Sequence, residues 1–493
     1  MKCYIHGFFH SMNDHKDVYH VMATQEGKIK SFDNDVDLTL CDEIIDLKGG
    51  HLYPGFVDAH LHMMGYGEYL DMIHLSSCQT KDEVIAKLLA AKSQDMIFAI
   101  GYLDVGITKH DLDTYFLDQV VILRHNDFHA LTLNSKALSH FNIQDETGIL
   151  KESKASYIMQ NIPKPSFSKL HTMLTKSIES LTSFGLTGGH TDDLFYYNGF
   201  KETYQAFHEV LEHHPFRSHL LIHHEVLDDF IQSDQPWGIQ NNYLELGAIK
   251  MFYDGTMSSK TALMYHPYQG EKTHGEVVMG YAQFTDVLKK VRSFGLSAAI
   301  HVIGDKGLED VVDLLTKYPP KEGLIDRIIH APWADQKTIE KMKSLPCSLD
   351  IQPQFLSSDL PRAFHFFSVK PDYVFPWKTY LDEKIIISGS SDAPVEIPNP
   401  FLGMKDAIFR RSNQDHKTYE TQEALSHFEA IKLYATYAHA QSSLQPRGYL
   451  KPGYLADFTV CDRDIETLKE EEFHDINVIM TIIDDHIVYK LTR

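Results

Sequence analysis

The chain lacks nearly every feature that would mark a secreted, membrane-spanning or nucleic-acid-bound protein. Cysteine is scarce: five in 493 residues, at positions 3, 41, 78, 347 and 461, with no Cys-x-x-Cys. An odd and scattered set argues against a disulfide framework and for reduced thiols, so a cytoplasmic location is expected. No apolar run approaches the roughly 20 residues that cross a bilayer. The opening MKCYIHGFFHSMND lacks the apolar stretch of a signal peptide. Positive charge is in deficit, with a formal net charge of −22. Such a surface repels phosphate backbones and anionic lipid heads, so neither nucleic acid nor membrane is an expected partner. A Gly-rich phosphate loop closed by Lys-Ser/Thr is missing too, which disfavours a phosphate-handling enzyme. There is no low-complexity tract and no internal repeat beyond the strand–helix rhythm described next.

What is present is an ordinary globular composition, 43% hydrophobic and 23% charged, with an unusual wealth of histidine, 30 residues. The two ends of the chain look β-rich. VYHVMATQEGKIKSFD reads as a hairpin around Glu26-Gly27, and VIMTIIDDHIVYKL as another around Asp-Asp. We expect residues 1–52 and 445–493 to form one small β-sandwich domain. Between them, residues 53–444 alternate short apolar strands with helical stretches. YPGFVDAHLH is followed by seven further runs: GLTGGHTDD, RSHLLIHHE, LELGAIKMFYDG, LSAAIHVIGD, RIIHAPW, CSLDIQP and KIIISGSSDAP. Eight strand-then-helix units are the count of a (β/α)8 TIM barrel, an α/β fold. About a hundred residues, roughly 65–165, break the rhythm. A structureless loop of that length is improbable, so they read as an inserted subdomain after the first barrel strand. Loops at that end of a barrel line the active site, which would make the insert a wall or lid.

His60 and His62 close the first of these strands. Random placement of 30 histidines in 493 residues yields about two His-x-His pairs, so the pair alone proves nothing. Its company carries the argument. Side chains two apart on a strand share a face. Lys250, His301, His330 and Asp392 likewise fall late in their own strands, where barrel active sites assemble. Each has an ordinary alternative: a core histidine, a snorkelling lysine, a turn-forming aspartate. Four imidazoles, a carboxylate and a lysine gathered at one end of several strands nevertheless suit a divalent metal, zinc first, with manganese, iron, cobalt or nickel also compatible.

The motifs PGFVDAHLH, RHNDFHALTLNSKAL, IKMFYDGTMSSKTAL, AAIHVIGDKGLEDVVD, RIIHAPW, SGSSDAPVE and LKPGYLADFTVCD run in order along nearly the whole chain. In them the chain resembles the amidohydrolase superfamily, and within it the amidohydrolase-3 branch that includes N-substituted formamide deformylases. The resemblance implies a metal-dependent hydrolase of non-peptide carbon–nitrogen bonds, acting on an amide or formamide. It implies that His60, His62, His301, His330 and Asp392 are metal ligands, and that Lys250 bridges two metals after carboxylation. A lysine ammonium has no lone pair to offer a cation. Burial favours the neutral amine of a lysine, the form that adds carbon dioxide. A carbamate then has two oxygens, enough to bridge metals about 3.5–4 Å apart. With Lys250 unmodified, one metal on His60, His62, His301 and Asp392 is the expectation. Asp392 is also the expected catalytic acid–base. The chain departs from the branch at Ile329-His330, where relatives often have Glu-His.

Asp127, His129 and Asn134, in the inserted segment, either reach the substrate or brace the insert. His190 ends the second strand and either meets substrate or holds a loop. Asp254 and Asp305 are expected to orient neighbours or cap a helix, and His213-His214 and His223-His224 to be solvated or helix-end residues. A deaminase of a ring or amidine-like substrate is the alternative activity. A metal-binding but inactive protein is the alternative of another class. The expected partner is a small-molecule substrate, with a homodimer as the default assembly.

Overall fold

The computed structural model describes residues 1–92, 96–125 and 130–492. Asp127 and His129 lie outside the described residues. The chain divides into two compact units, residues 1–66 with 167–493, and residues 67–166.

In the larger unit eight parallel strands form a nearly closed barrel. They are β1 (Phe56–Leu61), β2 (Leu186–Thr191), β3 (Arg217–His223), β4 (Leu244–Phe252), β5 (Ala298–Val302), β6 (Asp326–His330), β7 (Cys347–Ile351) and β8 (Ile386–Gly389). Each pairs with its chain neighbour. At the seam, just past the end of β8, the Asp392 amide donates to the His60 carbonyl and the His62 amide to the Ala393 carbonyl, both at 2.8 Å. Barrel strands are covered on both faces, and β4 accordingly reads as an almost unbroken buried run. Helices supply the outer cover. Phe167–Ser183 buries Leu170, Met173, Leu174, Ile178 and Leu181, the spacing of one helical face.

Two further sheets form the small sandwich. One runs Lys28–Phe32, Met22–Gln25, Lys2–Ile5, Glu43–Asp46. The other runs His486–Lys490, Val478–Ile483, Phe458–Cys461, His51–Pro54, Phe8–His10, Val18–Tyr19, so strands from both chain ends share it. Tyr4, Phe9, Met22, Leu52, Phe458 and Ile482 fill the space between them. The two hairpin turns are those legible in the sequence. Glu26-Gly27 and Asp484-Asp485 all take positive φ, the geometry that tight two-residue hairpins require.

YPGFVDAHLH is two strands rather than one. Tyr53 and Pro54 belong to the sandwich, and the barrel begins at Phe56. Gly55 makes the crossing possible: a Cβ there would stand 2.3 Å from Thr187 Oγ1.

Cysteine also departs from expectation. Cys3 and Cys41 are disulfide-bonded with Cα atoms 5.8 Å apart, while Cys78, Cys347 and Cys461 are free and buried. The parallel pairing of Lys2–Ile5 with Glu43–Asp46 sets their distance, and residue spacing along the chain cannot reveal it. Among the described residues no helix is long and apolar enough to cross a membrane.

A buried ion pair ties β3 to the sandwich. Arg217 Nε and Nη2 donate to Asp457 at 2.9 and 2.8 Å, and each side chain is 2% exposed. Arg217→Met should cost about 3–5 kcal/mol in chemical denaturation, because it strands a buried carboxylate. Burial alone would raise the Asp457 carboxyl, but Arg217 outweighs it and holds it below the usual range. The contribution is therefore complete at neutral pH. It fades only as pH falls below about 4 and through the lower folded value. The stability gap between the parent and Asp457→Asn should narrow over that acid range, and a gap constant down to pH 2 would contradict it.

Residues 67–166 form a separate α/β unit around a five-stranded sheet, ordered Ile149–Lys151, Ala130–Leu133, Val120–His125, Met96–Tyr102, Ile73–His74. Asn134 is buried in it and spends its whole side chain there. Its oxygen accepts from the amides of Ala137 and Val121, and its nitrogen donates to the carbonyls of Phe116 and Gln119.

Candidate metal centre

β1 presents Asp58 and His60 on one face by alternation, and His62 follows directly after its last residue. Asp392, beyond the end of β8, meets them across the seam. Its Oδ1 stands 3.5 Å from both His60 Nε2 and His62 Nε2. One ligand atom from each of the three residues falls within 4.8 Å of the others. Lys250, near the end of β4 and 1% exposed, points its Nζ between His60 Nε2 at 3.3 Å and Asp192 Oδ2 at 3.4 Å. His301, one residue before the end of β5, and His330, the last residue of β6, have ring centroids 4.6 Å apart, and the His330 ring lies 6.0 Å from that of His60. The structure thus brings His60, His62, Lys250, His301, His330 and Asp392 to one end of the barrel.

His330 reaches this cluster only through backbone strain. Ile329 lies in an interior apolar layer with Leu221, Ala248 and Ala299, so strict alternation would send His330 to the opposite face. A φ of 79° turns it back. Asp392 also sits at positive φ, 56°. Non-glycine residues rarely adopt this region, and where they do the surroundings must hold them there.

Hydrogen bonds settle which ring nitrogens are left free. A carbonyl oxygen only accepts, so His62 Nδ1 donates to Asp192 O at 3.1 Å and His301 Nε2 to Gly255 O at 3.2 Å. Gln352 uses its Nε2 to donate to Asp350 O and Ser390 Oγ, so its Oε1 accepts from His330 Nδ1 at 2.7 Å. In the neutral form of each ring the opposite nitrogen carries the lone pair. His60 Nδ1 is buried with no partner among the described residues.

Burial depresses the His60 imidazole well below its ordinary value, and Lys250 adds to the effect. Burial also pushes His301 well down and His330 down. The neutral ring is the form that binds a cation. Burial acts on His62 as well, but its contact with Asp392 outweighs this and lifts it to about 9. Burial would raise the Asp392 carboxyl, yet His62 and His330 together hold it below the usual range. Imidazole nitrogens with fixed tautomers around a carboxylate that stays ionised are a donor set that fits a divalent cation.

Residues 43–489 match the model of the Amidohydrolase family. The chain belongs to that family. It is 33% identical to the Bacillus subtilis protein named amidohydrolase YtcJ over 533 aligned residues, 99% of this chain and 100% of that one. An N-substituted formamide deformylase from Arthrobacter pascens is 23% identical over 497 residues, 91% of this chain and 90% of that one. An uncharacterized metal-dependent hydrolase from Pyrococcus horikoshii OT3 shares the fold with a TM-score of 0.82 and 26% identity, over 95% of this chain and 99% of that one. This amidohydrolase is a hydrolytic enzyme acting on carbon–nitrogen bonds of small molecules.

Three residues of the amidohydrolase site escaped the sequence reading. Asp192, just past β2, is fully buried, faces Lys250 and accepts from Tyr196 Oη at 3.3 Å. Asp58 accepts from Ser391 Oγ at 2.5 Å and from the amides of Ser391 and His60, and burial raises its carboxyl to about 7. Gln352 holds His330. The Asp-Asp closing GLTGGHTDD was a visible signal for Asp192, whereas Gln352 had none. Replacing Gln352 by Leu frees the His330 ring and should weaken metal binding by about 10–100-fold, measured by chelator competition. Unchanged affinity would show that His330 needs no such support.

Elsewhere the residues divide. Asp254 accepts from the amides of Leu263, Ile303 and Gly304, a loop anchor. Asp305 opens the helix Asp305–Lys317 and accepts from the amides of Tyr265 and Lys306. His190 is buried in the barrel with its ring 4.6 Å from His219, and its Nδ1 has no partner among the described residues. His213 is exposed and His214 partly so. His223 caps a short helix as expected of a helix-end residue, but it is buried and stacks on Phe195 at 4.5 Å.

Proposed function

We propose that this amidohydrolase hydrolyses an amide or formamide, releasing a carboxylate and an amine, with catalysis centred on Asp392. The observation that carries the reading is the convergence of His60, His62 and Asp392 within 4.8 Å, beside a cavity of about 240 Å³ that His301, His330 and Asp392 help line. We assign the metal to His60, His62, His301, His330 and Asp392, with zinc as the first choice. When bound, a divalent cation supplies the acidification of water and the polarisation of a carbonyl oxygen. We further propose that Lys250 is carboxylated: its neutral amine adds carbon dioxide and loses one proton, leaving two oxygens for a pair of cations. Asp192, 3.4 Å from Nζ, helps orient that side chain.

The remaining work falls to the protein. The Asp392 carboxylate accepts the proton of the attacking water and returns it to the departing nitrogen, so the amine leaves neutral. Gln352 and the Gly255 carbonyl keep two imidazoles in their working tautomers. Trp333, Phe355 and Phe366 wall the cavity, which suits a small apolar or aromatic substituent on the substrate and excludes bulk water.

The test is product analysis with fully metallated enzyme on N-substituted formamides, aryl and alkyl amides, and amidine-like ring compounds. Carboxylate and amine in equal amounts are expected. Ammonia without carboxylate would make the enzyme a deaminase. No turnover of any class would remove the hydrolytic assignment to this site.

A further inference from the structure

A second cluster of metal-binding side chains lies in the sandwich, outside the barrel centre. His10 ends the strand Phe8–His10, and His51 begins the strand His51–Pro54 beside it. The strands are parallel, with Phe8 opposite His51 and Phe9 opposite Leu52. His10 Nε2 and His51 Nδ1 face each other at 3.0 Å. Asp464, at the start of the short helix Ile465–Thr467, completes the group from the other end of the chain. Ligand atoms of the three residues lie within 4.8 Å of one another.

We propose that His10, His51 and Asp464 form a second divalent-metal site of the zinc class, which ties the N-terminal strands of the sandwich to its C-terminal segment. Tetrahedral zinc with bonds near 2.0–2.1 Å separates its nitrogen donors by about 3.4 Å, close to the spacing found. Two facing imidazole nitrogens can share only one proton. A cation takes its place, and the proton shifts to the far nitrogen of its own ring, so both imidazoles bind as neutral ligands. The surroundings are organised for this. Tyr53 stacks on the His10 ring at 4.3 Å and 8°, and its hydroxyl donates to Asp464 Oδ1 at 3.2 Å. The Glu466 amide donates to the same oxygen at 3.0 Å. Asp464 Oδ2 has no hydrogen-bond partner among the described residues and is left for the cation. Phe8 stacks on the His51 ring at 4.8 Å. His10 is 6% exposed, while His51 and Asp464 are more open, so three protein donors leave a coordination position for water. Two imidazoles with one carboxylate favour zinc, cobalt or nickel over calcium or magnesium.

The experiment uses the full chain carrying His60→Ala and His62→Ala, titrated with zinc alone and with cobalt alone. One equivalent should bind, cobalt should show the visible absorption of a tetrahedral complex, and zinc should raise the thermal midpoint. Adding His51→Ala should abolish that equivalent and the thermal shift. Asp464→Asn, which keeps the oxygen that accepts from Tyr53 and Glu466, guards against mere misfolding and should weaken binding in a chain with unchanged circular dichroism. No binding before His51 is touched, or undiminished binding after it, would overturn the proposal. Failure of the barrel site would look different: the parent and the His60→Ala, His62→Ala chain would hold the same metal.

Discussion

Replacing His60 and His62 together by alanine is expected to empty the barrel of metal and lower kcat/KM by about 10⁴-fold or more. The size follows from the nucleophile: without a cation, water keeps a pKa near 15.7 instead of one near 7. Both rings are well placed to be missed. His60 is 1% exposed with its Nε2 aimed at Lys250 and Asp392, and His62 faces the same carboxylate oxygen. Elemental analysis and kinetics on the same preparation check the result. Any equivalent held by the sandwich is separated by carrying His51→Ala in parallel. Metal content and turnover unchanged in the double variant would mean that the pair is structural. Near two equivalents lost would support a carboxylated Lys250, and one would support the mononuclear arrangement.

Asp392→Asn is expected to lower kcat by about 10²–10⁴-fold, the range a positioned acid–base group supplies. The substitution preserves shape and one oxygen donor but removes the group that holds a proton between attack and departure. Binding should suffer less than turnover, so the loss should appear in kcat rather than KM. Two backbone features of Asp392 make a purely structural effect separable. Its amide is pinned to the His60 carbonyl and its backbone sits at positive φ, a region asparagine tolerates well, so the seam should stay closed. Full activity in this variant, with metal intact, would remove Asp392 from the proton path.

The barrel was readable because its strands advertise themselves. Runs such as LELGAIKMF are buried on both faces and so carry no polar alternation, and helical stripes like that of Phe167–Ser183 separate them. The hairpin turns at Glu26-Gly27 and Asp484-Asp485 are spelled in residues that accept positive φ. Two misreadings have one cause. The split of YPGFVDAHLH at Gly55 depends on the approach of Thr187, and the Cys3–Cys41 bond depends on strand pairing, both distant in sequence.

At the candidate site, local pattern likewise has a limit. The His-x-His spacing placed two rings on one face because a strand has period two, and this needs no knowledge of the rest of the chain. His330 defies that rule, since alternation from Ile329 would turn it away and only its strained φ, held by the surrounding fold, aims it at His301. Asp192 and Gln352 gained their places through partners 58 and 22 residues away, Lys250 and His330. The sequence by itself determined the barrel, the shared sandwich of both termini and the residue types that gather at the strand ends, because periodicity and composition are local and additive. The tertiary structure alone decided the tautomers, the strained backbone, the disulfide and the second histidine–aspartate cluster. Each of these rests on a distance between residues far apart in the chain, and such distances exist only once the strands have paired.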